Sequence, residues 1–132
     1  MRTYTQQTIL FSAKAADGAS TPQTVIDFTH LELELCLVGF TGTVKFVCSD
    51  ADDAPAFGSA ASLANPWTYV KSIDLIDGSA VNGGTGITGV ATSSITNLEV
   101  NINGKNWFGA IISGYSAGAL TLKLKGIAVS GS

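Results

Sequence analysis

The stretch Ile95-Thr96-Asn97-Leu98-Glu99-Val100-Asn101-Ile102-Asn103-Gly104-Lys105-Asn106-Trp107-Phe108-Gly109-Ala110-Ile111-Ile112 decides the fold. Leu98, Val100 and Ile102 alternate with Glu99, Asn101 and Asn103, which is the period of a strand with one wet face. Asn103-Gly104 between two apolar runs is a strong short reversal signal, so the chain is expected to return through Trp107 to Ile112 as a β-hairpin. A second reversal is expected at Ser113-Gly114-Tyr115-Ser116-Ala117-Gly118. Beyond it Leu120, Leu122 and Leu124 alternate with Thr121, Lys123 and Lys125. The prediction is a three-stranded antiparallel meander whose middle strand, apolar at almost every position, is central to its sheet and covered on both faces.

Working outward, Leu31 to Gly39 and Thr43 to Ser49 read as a hairpin turning at Thr41-Gly42. That register puts Leu31, Leu33, Leu35 and Leu37 on the side of Val44, Phe46 and Cys48, and sends Cys36 to the opposite face. Cys36 and Cys48 are therefore expected to be reduced, packed thiols, consistent with synthesis in a reducing compartment. Thr3 to Ser12 is an expected strand with Ile9 and Phe11 on one face, Ala15 to Gln23 a loop, and Thr24 to Phe28 a short strand. Asp50 to Pro66 is small, acidic and aperiodic, so a long surface loop is expected, with a helical turn near Ser59 to Leu63. Trp67 to Asp77 alternates again, with Trp67, Tyr69, Ile73 and Leu75 on one side, and the glycines from Gly78 to Gly89 make a loop before the final meander begins near Ser93. The total is about eight strands without a helical segment, an all-β antiparallel β-sandwich or jelly roll. At 132 residues the whole of 1–132 is expected to be one domain, with both ends packed.

Only 13% of residues are charged while 45% are hydrophobic, a balance that suits a surface covered in part by other protein chains. The net charge of −3 argues against a nucleic-acid or anionic-membrane partner, either of which calls for a basic patch. No apolar run approaches the ~20 residues of a membrane-spanning helix, and Met1 to Gln7 is too polar to open a signal peptide.

Four patterns touch on chemistry. Gly114-Tyr115-Ser116-Ala117-Gly118 matches the G-x-S-x-G nucleophile elbow, but a strand follows it and no acid or histidine lies downstream. Gly84-Thr85-Gly86-Ile87-Thr88-Gly89 matches G-x-G-x-x-G, yet the β-branched residues after it deny the helix that would hold a phosphate. Asp50, Asp52 and Asp53 are the metal candidates, though their spacing lacks the sixth-position glycine and twelfth-position glutamate of a calcium loop. A lone His30 makes no zinc site. Glu32 and Glu34 share one strand face, as a hydrolytic carboxylate pair would, but outward positions on a half-exposed strand account for them. No catalytic residue, cofactor or metal is expected. Tyr4, Glu32, Glu34 and Trp67 are the candidate interaction residues.

The C-terminal pattern, an Asn-x-Asn-Gly turn followed by Asn106-Trp107-Phe108-Gly109-Ala110-Ile111-Ile112-Ser113-Gly114-Tyr115-Ser116-Ala117-Gly118-Ala119-Leu120-Thr121-Leu122-Lys123-Leu124-Lys125-Gly126, resembles small β-sandwich structural proteins of tailed bacteriophages. Those include capsid decoration (cement) proteins and neck or tail accessory proteins. The segment from Trp67 to Gly89 is similar to that class too, so the resemblance covers roughly residues 67 to 126. It implies a non-enzymatic virion protein assembled in the host bacterial cytoplasm and often trimeric. The leading expectation is a decoration protein on the capsid surface, with the major capsid protein and copies of itself, as a homotrimer, for partners. The alternatives are a neck, tail or head-fibre accessory protein, and a carbohydrate-binding β-sandwich module using Trp67, Tyr69 or Trp107 as stacking platforms.

Gly109 carries one further expectation. Glycine inside a strand marks a bulge or a close approach, so an aromatic ring, Trp67 or Tyr69, should lie over it.

Overall fold

The computed structural model describes residues 2–4, 7–57 and 66–129. The chain is all-β, with ten strands among the described residues: β1 (Arg2–Tyr4), β2 (Thr8–Lys14), β3 (Gly18–Ala19), β4 (Gln23–Thr24), β5 (His30–Ser49), β6 (Thr68–Val70), β7 (Ser72–Asp74), β8 (Ala80–Val81), β9 (Ile87–Asn101) and β10 (Trp107–Val129). Every pairing is antiparallel. Three long strands make the frame: β5 in the middle, β10 along one side and β9 along the other. The far side of β10 is lined in turn by β4, β3, β2 and β1. On the other flank β7 and then β8 continue the sheet past β9, and β6 pairs with the last part of β5.

This order corrects the expected meander. β9 and β10 are not neighbours, because each flanks β5, and Trp107 to Lys125 is one uninterrupted strand rather than two. Leu31 to Ser49 is likewise one strand, without a hairpin at Thr41-Gly42. Asn103-Gly104 does turn, closed by the Lys105 N–H on the Ile102 carbonyl at 2.9 Å. What that turn joins shows the shape of the molecule. The Ile102 N–H donates to the Thr29 carbonyl at 3.1 Å and the Asn106 N–H to the Ser49 carbonyl at 2.9 Å. Four chain steps span at most about 14 Å, whereas a straight strand of β5's length would hold Thr29 and Ser49 roughly 65 Å apart. β5 is therefore folded over on itself, and its halves lie in two layers.

The bend sits where the sequence placed its reversals. β5 loses regular pairing with β9 between Leu37 and Gly42, and with β10 near Ala117, while β10 slips between Ser113 and Ala119. Gly39, Gly114 and Gly118 have positive φ there, as does Ala91 in β9. Strands that pass from one sheet of a sandwich to the other do so through bulges and bends of this kind. The first layer contains β2, the end of β10, the start of β5 and the end of β9, whose own start follows β5 past the bend. The second contains β3, β4, the start of β10, the end of β5 and β6.

Between the layers lies one apolar core. Leu31, Leu33, Leu35 and Leu37 meet Val44, Phe46, Phe108, Ala110 and Ile112 across it, with Leu98, Val100, Ile102, Leu120, Leu122 and Phe11 filling the remainder. The buried positions of β5 change parity at the bend, odd up to Leu37 and even from Phe40, as one inserted residue requires. Cys48 is buried, Cys36 lies half-buried on the outer side of the first layer, and both thiols are free. Burial pushes the Cys48 thiol upward from its ordinary value.

Shorter elements also differ from expectation. Phe11 is buried but Ile9 is exposed, because a bulge pairs Phe11 with Leu122 and Ile9 with Lys123 on the outward side. The strand expected from Thr24 to Phe28 is reduced to Gln23–Thr24. Trp67 to Asp77 breaks into β6 and β7, and Leu75 is exposed beyond them. The helical turn expected near Ser59 to Leu63 falls outside the described residues. The two ends of the described chain pair with each other, Arg2 to Tyr4 against Ile127 to Val129.

The outer side of the second layer is covered. The segment leading away from β5 crosses it, held by the Trp107 and Asn106 side chains donating to the Ala51 carbonyl, each at 3.1 Å. Phe57 and Trp67 stack with ring centroids 4.5 Å apart, and the Phe57 ring lies directly over Gly109. An aromatic ring does cover Gly109, but it is Phe57 backed by Trp67. Gly109→Val should force that ring off the strand at a cost of about 1–3 kcal/mol, and tryptophan fluorescence should shift as the stack opens. An unchanged melting point and spectrum would show that the ring does not rest on β10.

Candidate interaction face

The outer side of the first layer lacks such a covering among the described residues. Alternation in β5, β9 and β10 turns Leu31, Leu33, Leu98 and Leu122 to the core and leaves the intervening residues facing out. Pairing aligns those residues in rows across the sheet. Lys125, Glu32 and Glu99 form one row; Lys123, Glu34 and Asn97 the next; Thr121, Cys36 and Ile95 a third. Lys123 and Lys125 of β10 face Glu34 and Glu32 of β5, which favours the β10–β5 register by cross-strand attraction, whereas Glu32 opposite Glu99 works against the β5–β9 register. Lys123 Nζ lies 3.9 Å from Glu34 Oε1, and His30 Nε2 lies 3.9 Å from Glu99 Oε1, long half-exposed pairs of the kind that contribute little to stability.

Next to these rows the β7–β8 turn projects an apolar knob. The Leu75 N–H donates to the Asn97 carbonyl at 3.0 Å and so docks the turn on β9. Within it the Asp74 carboxylate accepts from the Ile76 N–H at 3.0 Å and the Asp77 carboxylate from the Ser79 N–H at 2.9 Å. Hydrogen bonds from the Ser79 side chain and backbone hold the Asp77 carboxyl below its ordinary value. These bonds fix the turn while leaving Ile76 88% exposed beside Ile95 at 67% and a partly exposed Leu75. Two open depressions flank the knob. One of about 370 Å³ is lined by Gln7, Glu32, Glu34, Leu75, Asn97 and Lys125, among others. The other, about 420 Å³, is a notch between Asp74, Leu75, Ile76, Ile95, Thr96 and Asn97.

The structure brings Glu32 and Glu34 together on this face, in register with Lys125 and Lys123. Trp67 is not here: it is 2% exposed with its Nε1 donating to the Ala56 carbonyl at 3.0 Å, so it is no interaction residue and no sugar-stacking platform. Trp107 is half-buried and tied to Ala51, and Tyr69 lies under Lys45, whose Nζ is 5.3 Å from the ring centre. The backbone of Tyr4 belongs to β1, and its side chain lies outside the described residues. Asp50, Asp52 and Asp53 are exposed, and no cluster of three or more ligating side chains occurs among the described residues. Ser116 is an exposed residue of β10, and Gly84 to Gly89 leads from an Asn82-capped turn into β9 rather than into a helix. No described helix is long and apolar enough to cross a membrane. Leu75 and Ile76 were missed in the sequence because they read as one more step of alternation. The Asp74, Asp77 and Ser79 turn chemistry was the available signal.

No family model and no curated protein sequence matches the chain. By structure it is similar to the SPBc2 prophage-derived protein YomS, with a TM-score of 0.72 at 12% identity over 97% of this chain and 96% of that one. It is also similar to the PBSX exported protein XepA, with a TM-score of 0.73 at 13% identity. That match takes in 96% of this chain but only 38% of XepA, so the same fold there forms part of a longer protein.

Proposed function

We propose that this chain is a non-enzymatic structural protein of a tailed-bacteriophage virion and, more narrowly, a decoration protein that binds the outside of the head and stabilises it. The observation that carries the reading is the shared fold with a prophage-derived protein over nearly the full length of both chains. The bare face of the first layer supports an assembling role, since it pairs a rigidly held aliphatic knob with charged rows, and apolar anchors ringed by polar groups are what protein partners recognise. Copies of the chain and the major capsid protein are the partners in this reading.

The test is reconstitution on purified heads lacking the protein. Added protein should co-sediment with them and raise the temperature at which they release DNA, and Ile76→Asp should weaken binding roughly tenfold or more, as loss of one buried anchor does. Heads that neither bind the protein nor change in heat release would overturn the decoration role. Absence of the chain from purified virions by mass spectrometry would overturn the virion reading altogether.

A further inference from the structure

We propose that copies of this chain join rim to rim through the first layer, the open edge of β9 in one copy pairing antiparallel with the open edge of β2 in the next. This deepens the assembly reading above by naming a second copy as the partner at this face, and its test is separate from attachment to a head.

The backbone states which groups are available. Because the Leu75 N–H reaches the Asn97 carbonyl, the peptide groups of Asn97 point away from β5. Backbone direction repeats every second residue in an antiparallel strand, so those of Ile95 and Ser93 point outward as well. β7 pairs with β9 only at Leu98 and Glu99, and among the described residues no strand lies outside β9 from Ile87 to Thr96. Such an edge is a template for another strand unless charge or proline blunts it. Between Asp77 and Glu99 the sequence contains neither.

The opposite rim is β2, which pairs with β10 and, among the described residues, with no other strand. Three antiparallel steps separate β2 from β9, through β10 and β5, so β2 and β9 run in opposite directions. A copy related by rotation about an axis along the strands therefore presents β2 antiparallel to its neighbour's β9. The side chains agree. Ile9 is 56% exposed and stands opposite Lys123, in the row that continues through Glu34 to Asn97. It thus projects from the same outer face, and at the same level, as the notch lined by Leu75, Ile76 and Ile95 on the other rim. Seated in the next copy's notch, Ile9 would cover these side chains while the ladder satisfies Ile95 and Ser93. The two rims are different surfaces, so the contact is heterologous, and the proposal is that the rotation between successive copies closes into a ring rather than running on as a filament.

Light scattering after size exclusion tests this. The parent should have a mass that is a multiple, above two, of 13.5 kDa. Ile95→Pro removes an outward N–H that β5 does not use, a place where an edge strand tolerates proline, and should yield a folded monomer by circular dichroism. If that variant fails to fold, Ile95→Lys takes its place as the blocked β9 rim. Ile9→Lys blocks the other rim and should also be monomeric. Mixed together, the two blocked variants should form a 1:1 dimer and nothing larger, because one intact rim of each kind remains. A monomeric parent, a two-fold dimer that survives Ile9→Lys, or a mixture that stays monomeric would each overturn the proposal.

Discussion

Replacing Phe40 with alanine is expected to remove about 3–5 kcal/mol of stability, a large share of the ~5–15 kcal/mol that holds a typical domain together. Phe40 has no exposed surface and sits where β5 turns from one layer to the other. Its ring passes close to the Cα of Gly42, its carbonyl and ring edge crowd Gly89 of β9, and the Tyr115 ring of β10 lies 6.1 Å away. All three long strands bend around this one side chain. The truncated variant leaves a cavity that relaxation can close only by straightening a strand, which the short link from Ile102 to Asn106 forbids. Urea titration should show the midpoint falling steeply, while Phe40→Leu, which keeps most of the volume, should lose much less. Similar midpoints for parent and Phe40→Ala would mean that the bend is held by the backbone alone.

Gly118→Ala is expected to cost about 2–4 kcal/mol, for two reasons that add. Gly118 has φ +81°, a left-handed conformation that costs an L-residue roughly 1–2 kcal/mol. An added Cβ would also run into the Gly39 carbonyl of β5, which is backbone and cannot swing away as a side-chain tip can. The Gly118 carbonyl meanwhile accepts from the Tyr115 hydroxyl at 2.7 Å, so relaxing the backbone would loosen that bond as well. Thermal melting should drop by about 10 °C or more. Gly114→Ala is the comparison: φ is +64° there but nothing lies within 4 Å of an added Cβ, so the conformational part of the loss should appear by itself. Equal losses in the two variants would refute the crowding at Gly118.

These two positions also show what the sequence could and could not convey. Thr41-Gly42 and Ser113 to Gly118 read as reversals, and the chain does change direction at both. A glycine with positive φ serves a tight hairpin and a strand bend alike, so the local sequence does not distinguish a partner strand alongside from a second layer overhead. Period-2 alternation has the same limit: it assigns Leu33, Leu98 and Leu122 to a face but names no neighbour. That is why the core was legible while the order β10, β5, β9 was not. The reading of Cys36 and Cys48 on opposite faces survived the loss of its hairpin because the bulge restores the parity that the hairpin would have supplied. At the candidate face Glu32 and Glu34 were visible as outward residues, whereas Trp67 was misplaced because aromatic content does not tell a cover from a platform. The run between Asp77 and Glu99 carries no charge, but only the place of β9 at a rim gives that composition a meaning.

β10 is the shared partner of β1, β2, β3, β4 and β5. During synthesis the ribosome delivers it after all of them, so none of those earlier strands can complete its ladder until β10 has been made. The nascent chain must hold its leucine-rich β5 and the unpaired N-terminal strands in a loose state until Trp107 to Val129 emerges. Closure then depends on contacts between residues far apart in sequence, the circumstance in which folding is slow and exposed edges are most prone to misassociate.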